Sequence, residues 1–340
     1  STLFTTILNV SNFTFSNLLL NFSGSTVVTF DTVTFQGYAP TATPLTIAHP
    51  GAAAPLSFLD VSFSVVPTSG FYISATDTNP TDGVPLVIDN TVPSPYLCNP
   101  LAFGADIVVH SATKYLGGHG TTLAGVMVEA GTFPWGNGKF PGMTEPSPGY
   151  HGVIFHETFG DFAFTMRCRM ETQRVYGAAL SPMSAWQILQ GVETLPLRME
   201  RHCANAMAVA RFLRSDPRVE WVNYPGLEGH PQHALLKRQM RGASGLLAFG
   251  VKGGANGGST QGVEAGVRFI EAAQFMSHLV NIGDTRTLIS HPASTTHRQL
   301  DEAQQRAAGV LPDMVRISVG LEHIDDILWD IDQALAAART

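Results

Sequence analysis

The sequence predicts an α/β protein with a mostly parallel central sheet and a smaller α+β domain at its carboxyl end. Three observations lead there. Short apolar runs at Pro85-Leu86-Val87-Ile88 and over Asp106 to His110 each end on small polar residues, as buried parallel strands do. Strand-like and helix-like pieces alternate beyond residue 190. A chain of 340 residues, 44% of them hydrophobic, is long enough for a sizeable core and for two domains.

Residues 1–70 are rich in Thr, Ser, Phe, Val and Leu, with an alternation over Thr26 to Phe35 that favours strands. This segment is left unassigned. It shows no basic leader and no cleavage site of the kind a secretory signal carries. The glycosylation-type triplets at Asn9, Asn12 and Asn21 are chance matches in a stretch so rich in Ser and Thr. No Lys, Arg or Glu precedes Lys114, so the first 113 residues hold only six aspartates as charged side chains. A charged fraction of about a quarter is usual, and a water-facing surface is hard to build without it.

After Gly70 the character changes. Phe71-Tyr72-Ile73 reads as a strand and Asn79-Pro80-Thr81-Asp82-Gly83 as a turn. The runs ending at Asp89 and Ser111 read as successive parallel strands, so Asp89 and Lys114 face one crevice at the carboxyl edge of the sheet. Residues 71–189 form the first domain on this reading. Thr132 to Gly160, dense in Gly, Pro and aromatic residues, reads as a long ordered loop over a site. Ala179 to Met199 reads as helical pieces interrupted at Pro182 and Pro196, a link to a second domain over residues 190–340. In that domain, His202 to Arg214 has an apolar face of Ala206, Val209, Ala210 and Leu213. Val219 to Val222, Leu246 to Val251 and Val315 to Val319 read as strands, and Val263 to Phe275 as a helix. Ile324, Ile327, Leu328, Ile331 and Leu335 mark a closing amphipathic helix.

A formal charge of -7 and a pI near 5.9 argue against nucleic acid as a partner, which would need a basic face. No apolar run reaches the roughly 20 residues that span a bilayer, so no membrane partner is expected. Cys98, Cys168 and Cys203 lie far apart without C-x-x-C spacing, and read as reduced thiols of a cytoplasmic protein.

The chemistry gathers on Ser111-Ala112-Thr113-Lys114-Tyr115-Leu116-Gly117-Gly118-His119-Gly120. A lysine at the end of a buried strand is costly unless it is paired, neutralised or used covalently. Lysine amines become catalysts by forming a Schiff base with a carbonyl cofactor, commonly pyridoxal 5'-phosphate. That cofactor wants hydroxyls and backbone N–H groups for its phosphate, which Ser111, Thr113 and the glycine-rich turn offer. Its ring nitrogen wants a carboxylate, and Asp89 is placed for that. An amino-acid substrate brings a carboxylate of its own, for which Arg316, interrupting an apolar strand, is the candidate. Ordinary readings remain open: a solvated lysine, Asp89 as a turn cap, Arg316 in a buried ion pair. In nucleotide phosphate loops the lysine follows the glycines, whereas here it precedes them. His230 and His233 stand beside Pro231 in a loop and make a poor metal pair, and there is no G-x-S-x-G elbow.

These residues carry a likeness. Asp89-Asn90-Thr91, Pro95-Tyr96 and the run from Gly104 to Gly120 resemble the signature of the Cys/Met-metabolism pyridoxal-phosphate enzymes. The resemblance extends from about Phe71 to the carboxyl terminus. It is strongest to the family's O-acetylhomoserine sulfhydrylase branch, through Phe140 to Pro146, Gln190 to Met199, Trp221 to Leu227, His291 to His297 and Arg316 to Glu322. Gln190 stands where the family's lyases usually carry Arg.

The resemblance implies the aspartate-aminotransferase-like fold type I of PLP-dependent transferases, with pyridoxal 5'-phosphate as cofactor. It implies that Lys114 forms the Schiff base and shuttles protons, that Asp89 pairs with the ring nitrogen, and that Ser111 and Thr113 bind the phosphate. Asn79 would lie near the ring, Arg316 would hold the substrate carboxylate, and Thr287 would stand where the family has a serine near that carboxylate. The implied reaction turns O-acetyl-L-homoserine and sulfide or a thiol into homocysteine or a thioether, with release of acetate. The implied assembly is a homo-oligomer, a tetramer. Cystathionine γ-synthase, cystathionine γ-lyase and methionine γ-lyase activities remain as alternatives within the family, and a non-catalytic relic of the fold as one outside it. In the family, an amino-terminal region supplies a tyrosine and an arginine to a neighbouring subunit's phosphate. Residues 1–70 contain no arginine and one tyrosine, Tyr38.

Overall fold

The computed structural model describes residues 83–253 and 259–338, with the backbone of four short strands before them. Val28–Phe30 pairs in parallel with Leu56–Phe58, and Val33–Phe35 with Val61–Phe63, which agrees with the alternation seen over Thr26 to Phe35. The strand expected at Phe71 to Ile73, and Asn79, lie outside the described residues.

The first sheet has three strands, β1 (Val87–Asp89), β2 (Ile107–Ser111) and β3 (Gly125–Glu129), in that order. Strands β1 and β2 are parallel, with Asp89 opposite Val109. The connection between them carries the short helix Ser94–Leu97 and is long enough for a crossover. Strands β2 and β3 are antiparallel, with Ser111 opposite Gly125. The expectation of a mostly parallel sheet therefore holds for one of these two pairs. The reason lies in the connection, where Ala112 to Ala124 is spent on turns and reverses the chain.

The stretch from Thr132 to Gly160 folds into short helical turns, among them Pro141–Thr144 and Phe155–Phe159. It covers β2, because Trp135 and Met143 bury against Ile107 and Ala163. The indole of Trp135 donates to Glu129 at 3.1 Å, and the same carboxylate accepts the Thr165 N–H at 2.9 Å.

Helices α1 (Pro182–Glu193) and α2 (Leu195–Ser215) follow. Pro182 and Pro196 open these helices instead of interrupting them, since a first-turn N–H has no partner inside the helix to lose. Ser181 caps α1 by accepting the Ser184 N–H at 3.1 Å. The boundary expected between residues 189 and 190 lies inside α1. On α2, Ala206, Val209, Ala210 and Leu213 are fully buried, as their spacing predicts.

The second sheet comprises β4 (Val219–Asn223), β5 (Leu246–Val251), β6 (Ser277–His278), β7 (Leu288–Ser290) and β8 (Met314–Ser318). Its order is β6-β7-β8-β5-β4, and only β6 and β7 run parallel. Helix α3 (Ser259–Ala272) and helix α4 (Ile324–Ala337) pack on each other beside it. Ile327, Ile331 and Leu335 of α4 are fully buried. Helix α3 stops three residues short of the expected Phe275, because the buried Asp330 carboxylate takes the N–H groups of Gln274, Phe275 and Met276 at 2.8 to 3.0 Å. That capture also fixes the entry into β6, just before the segment that reaches the site. Among the described residues, no helix is long and apolar enough to cross a membrane.

Candidate active site

The site forms where the turn after β2 meets the chain between β6 and β7. Lys114 lies three residues past the end of β2, half-buried, and its N–H donates to the Ser111 carbonyl at 3.1 Å. The chain then folds over itself: Gly117 N–H bonds the Ala112 carbonyl at 2.8 Å and Gly118 N–H the Lys114 carbonyl at 2.7 Å. Gly118 has φ +76° and Gly120 φ +63°, which side chains rarely tolerate. The glycines are there so that the turn can bend back.

Two cations meet at this turn. The Lys114 ammonium donates to the Asn281 side-chain oxygen, and the Arg316 guanidinium donates to the Val280 carbonyl. Two consecutive residues thus receive both groups. Burial lowers the pKa of Lys114, and the nearby Arg316 charge lowers it further. Burial likewise lowers that of Arg316. His297 is shifted down by burial and then by the charge of the same guanidinium. Neither Lys114 nor Arg316 has a carboxylate partner among the described residues. A half-buried pair of like charges without a counter-ion is costly by itself and suits an anionic guest.

Asp89, the last residue of β1, accepts from the Thr91 N–H at 2.9 Å and from the Thr91 hydroxyl at 2.5 Å. The Thr91 oxygen in turn accepts the Ser111 N–H at 2.8 Å. This chain of bonds ties the ends of the two parallel strands together, so Asp89, Ser111 and Lys114 belong to one edge. The Ser111 hydroxyl has no hydrogen-bond partner among the described residues, which leaves it available to a ligand. Thr113 is turned to its own chain: its hydroxyl accepts the Ala124 N–H at 3.0 Å. Thr287 is also engaged internally, donating to Glu322 at 2.8 Å and accepting the Gly320 N–H at 2.9 Å.

Sequence reasoning missed three residues. Asn281, which holds Lys114, is an uncharged amide in a loop and carries no signal of its own. Thr91 was visible in the Asp89-Asn90-Thr91 triplet, yet nothing in the triplet shows that its hydroxyl bridges two strands. Arg198 is 5% exposed and its guanidinium grips the lysine's turn, through Nη1 to the Tyr115 carbonyl at 2.7 Å and Nη2 to the Leu116 carbonyl at 3.1 Å. The available signal was its place on the stripe Leu195, Arg198, Met199, His202, which is the buried face of α2.

The donor set fits pyridoxal phosphate: an amine with a lowered pKa, a carboxylate at the neighbouring strand end, and a hydroxyl that no other described residue engages. A family model described as Cys/Met metabolism PLP-dependent enzyme matches residues 74–336. The chain is 55% identical over 263 residues to an O-acetyl-L-homoserine sulfhydrylase of Leptospira meyeri, covering 74% of this chain and 58% of that one. It is 50% identical over 256 residues to O-acetyl-L-homoserine sulfhydrylase 1 of Thermus thermophilus, covering 75% and 59%. Among solved structures, a putative O-acetylhomoserine (thiol)-lyase of Campylobacter jejuni, holding a pyridoxyl-lysine phosphate, superposes with a TM-score of 0.69 at 37% identity, covering 75% and 59%. The chain therefore spans under three-fifths of the length of these relatives.

Proposed function

Because the chain belongs to the Cys/Met metabolism family of PLP-dependent enzymes, we propose that it binds pyridoxal phosphate at Lys114 and acts as an O-acetylhomoserine sulfhydrylase. Its fold is the type I fold of PLP-dependent transferases. In the proposed reaction the γ-carbon–oxygen bond of O-acetyl-L-homoserine breaks, acetate leaves, and sulfide or a thiol forms the new carbon–sulfur bond of homocysteine or a thioether. The observation that carries this reading is the pair Lys114 and Arg316, which bond to Asn281 and Val280 and meet no carboxylate among the described residues.

Bound at Lys114, pyridoxal phosphate supplies an electron sink for the substrate's α-carbon. The chain's own residues do the rest. Lys114 Nζ takes the α-proton and then moves a β-proton, a task for a neutral amine, which burial and Arg316 both favour. Asn281 orients that nitrogen, and Arg316 holds the substrate carboxylate. Asp89, steadied by Thr91, keeps the proton on the ring nitrogen. The Ser111 hydroxyl holds the phosphate, with Thr113 bracing the turn against Ala124. Thr287 supports the site from behind by holding Glu322 and Gly320.

We further read residues 71–189 as the cofactor-binding part and 190–340 as the carboxyl-terminal α+β domain. A homo-oligomer, as a tetramer, fits the apolar stripe that α1 leaves exposed at Met183, Trp186 and Leu189. The three unpaired cysteines support a reducing, cytoplasmic setting. The test is a product assay on chain loaded with pyridoxal phosphate. O-acetyl-L-homoserine and sulfide should give homocysteine and acetate in equal amounts; cleavage of cystathionine with no sulfide-dependent product would contradict the assignment.

A further inference from the structure

One face of α2 carries three buried polar residues, Arg198, His202 and Asn205, at helical positions i, i+4 and i+7. All three donate to carbonyls outside their helix, and the carbonyls fall into two groups. Arg198 serves the lysine's turn, through Tyr115 and Leu116, and also binds the Gly191 carbonyl at 2.6 Å. His202 lies against the Val319 carbonyl at 2.6 Å, and Asn205 donates to the Gly320 and Glu322 carbonyls, both at 3.0 Å. Val319 to Glu322 is the segment that leaves β8 directly after Arg316 and Ser318. Between the two groups the His202 ring packs edge-on against Tyr115, the lysine's neighbour, at 5.2 Å.

We propose that this face of α2 is the strut that sets the distance between Lys114 and Arg316, with Arg198 positioning the lysine and Asn205 positioning the arginine strand. The proposal rests on the reading of Lys114 and Arg316 as the catalytic pair. Neither Arg198 nor Asn205 touches the substrate, so both are positioning residues.

Chemistry explains why Arg198 is an arginine. A buried guanidinium without a carboxylate costs several kcal/mol unless its donors are used. Here Nε donates to the Thr194 hydroxyl at 3.1 Å and the two terminal nitrogens bind three carbonyls. A planar fork reaches two consecutive carbonyls of one turn, which an ammonium cannot. The fit is also steric: a Cβ on Gly118 would collide with the guanidinium, so the turn is wrapped onto Arg198 as closely as glycine allows.

The test begins with the full chain free of cofactor. Its four lysines are labelled by reductive methylation with carbon-13 formaldehyde, and the Lys114 resonance, assigned with Lys114→Arg, is titrated against pH. Arg198→Lys keeps the charge and loses the fork; it adds a fifth labelled lysine, told apart by a Lys114→Arg control in the same background, and Lys114 should leave its niche and titrate closer to an ordinary lysine. Asn205→Ser moves only the smaller Arg316 contribution, so it should shift that titration less than Arg198→Lys does. In the loaded enzyme, Asn205→Ser, which loosens both carbonyl contacts of the arginine strand, should raise the KM for O-acetylhomoserine by about tenfold, while Arg198→Lys should lower kcat. A folded Arg198→Lys whose Lys114 titration matches wild type would overturn the proposal. If Arg198→Lys does not fold, Thr194→Val decides: it removes the Nε acceptor, together with the hydroxyl's own bond to the Gly191 carbonyl, while the carbonyls that Arg198 grips stay in place, and a smaller shift in the same direction supports the strut where no shift refutes it. A chain that never takes up pyridoxal phosphate would refute the functional reading, yet the cofactor-free titration would still decide on the strut.

Discussion

Lys114, Arg316 and Asp89 can be picked out from sequence because each puts a charge at the end or in the middle of an apolar run, where water is scarce. What such a charge does is not written in the run. The structure adds that Lys114 and Arg316 share the Val280–Asn281 segment and that Thr91 ties Asp89 to Ser111. Asn281 escaped notice for a physical reason: an amide costs little to leave in a loop, so nothing in the pattern marks it. Thr113 and Thr287 show the converse limit, since a hydroxyl suited to a ligand is equally suited to a backbone group, and both are taken by the chain. At this scale, Arg316→Lys should raise the KM for O-acetylhomoserine by roughly 30-fold or more, since a point charge replaces a bidentate donor. Steady-state kinetics check it; an unchanged KM would remove Arg316 from the carboxylate.

At the scale of elements, periodicity predicted the buried faces of α2 and α4 well, because apolar side chains at helical spacing have one physical explanation. Element ends were less legible. Helix α3 ends where Asp330, more than fifty residues later, captures its outgoing N–H groups, and no local signal announces that. The reversal from β2 into antiparallel β3 is not legible in the sequence, because a glycine-rich turn after a strand serves a phosphate cradle and a chain reversal equally well. The contact of α1 with that turn yields a prediction. A Cβ on Gly191 would press into the Gly117 and Leu116 carbonyl oxygens, both backbone atoms that cannot swing aside. Gly191→Ala should therefore lose about 1–3 kcal/mol of stability despite its better helix propensity, as read by urea unfolding. A stabilised Gly191→Ala would contradict the close packing of α1 on the lysine's turn.

Across the whole molecule, the two sheets meet through polar groups buried at their junction, and one of these makes stability depend on pH. Burial pushes His202 down to about 4, against an ordinary 6.5. The unfolded chain binds a proton there between those values and the folded chain does not, so stability is full above pH 6.5 and falls as pH drops towards 4. The His202 share of the loss between pH 7 and pH 5 should be about 2 kcal/mol, and His202→Gln should reduce the slope by that amount while other buried histidines keep the rest. Urea midpoints at the two pH values measure it; a slope that the substitution leaves unaltered would assign the dependence elsewhere.

The proposed role of Lys114 as the residue that holds pyridoxal phosphate has a chemical test. Borohydride reduction of cofactor-saturated protein, followed by peptide mapping, tests it directly. A pyridoxyl group should appear on Lys114 and none on Lys139, Lys237 or Lys252; an unmodified Lys114 in saturated, reduced protein would refute that role.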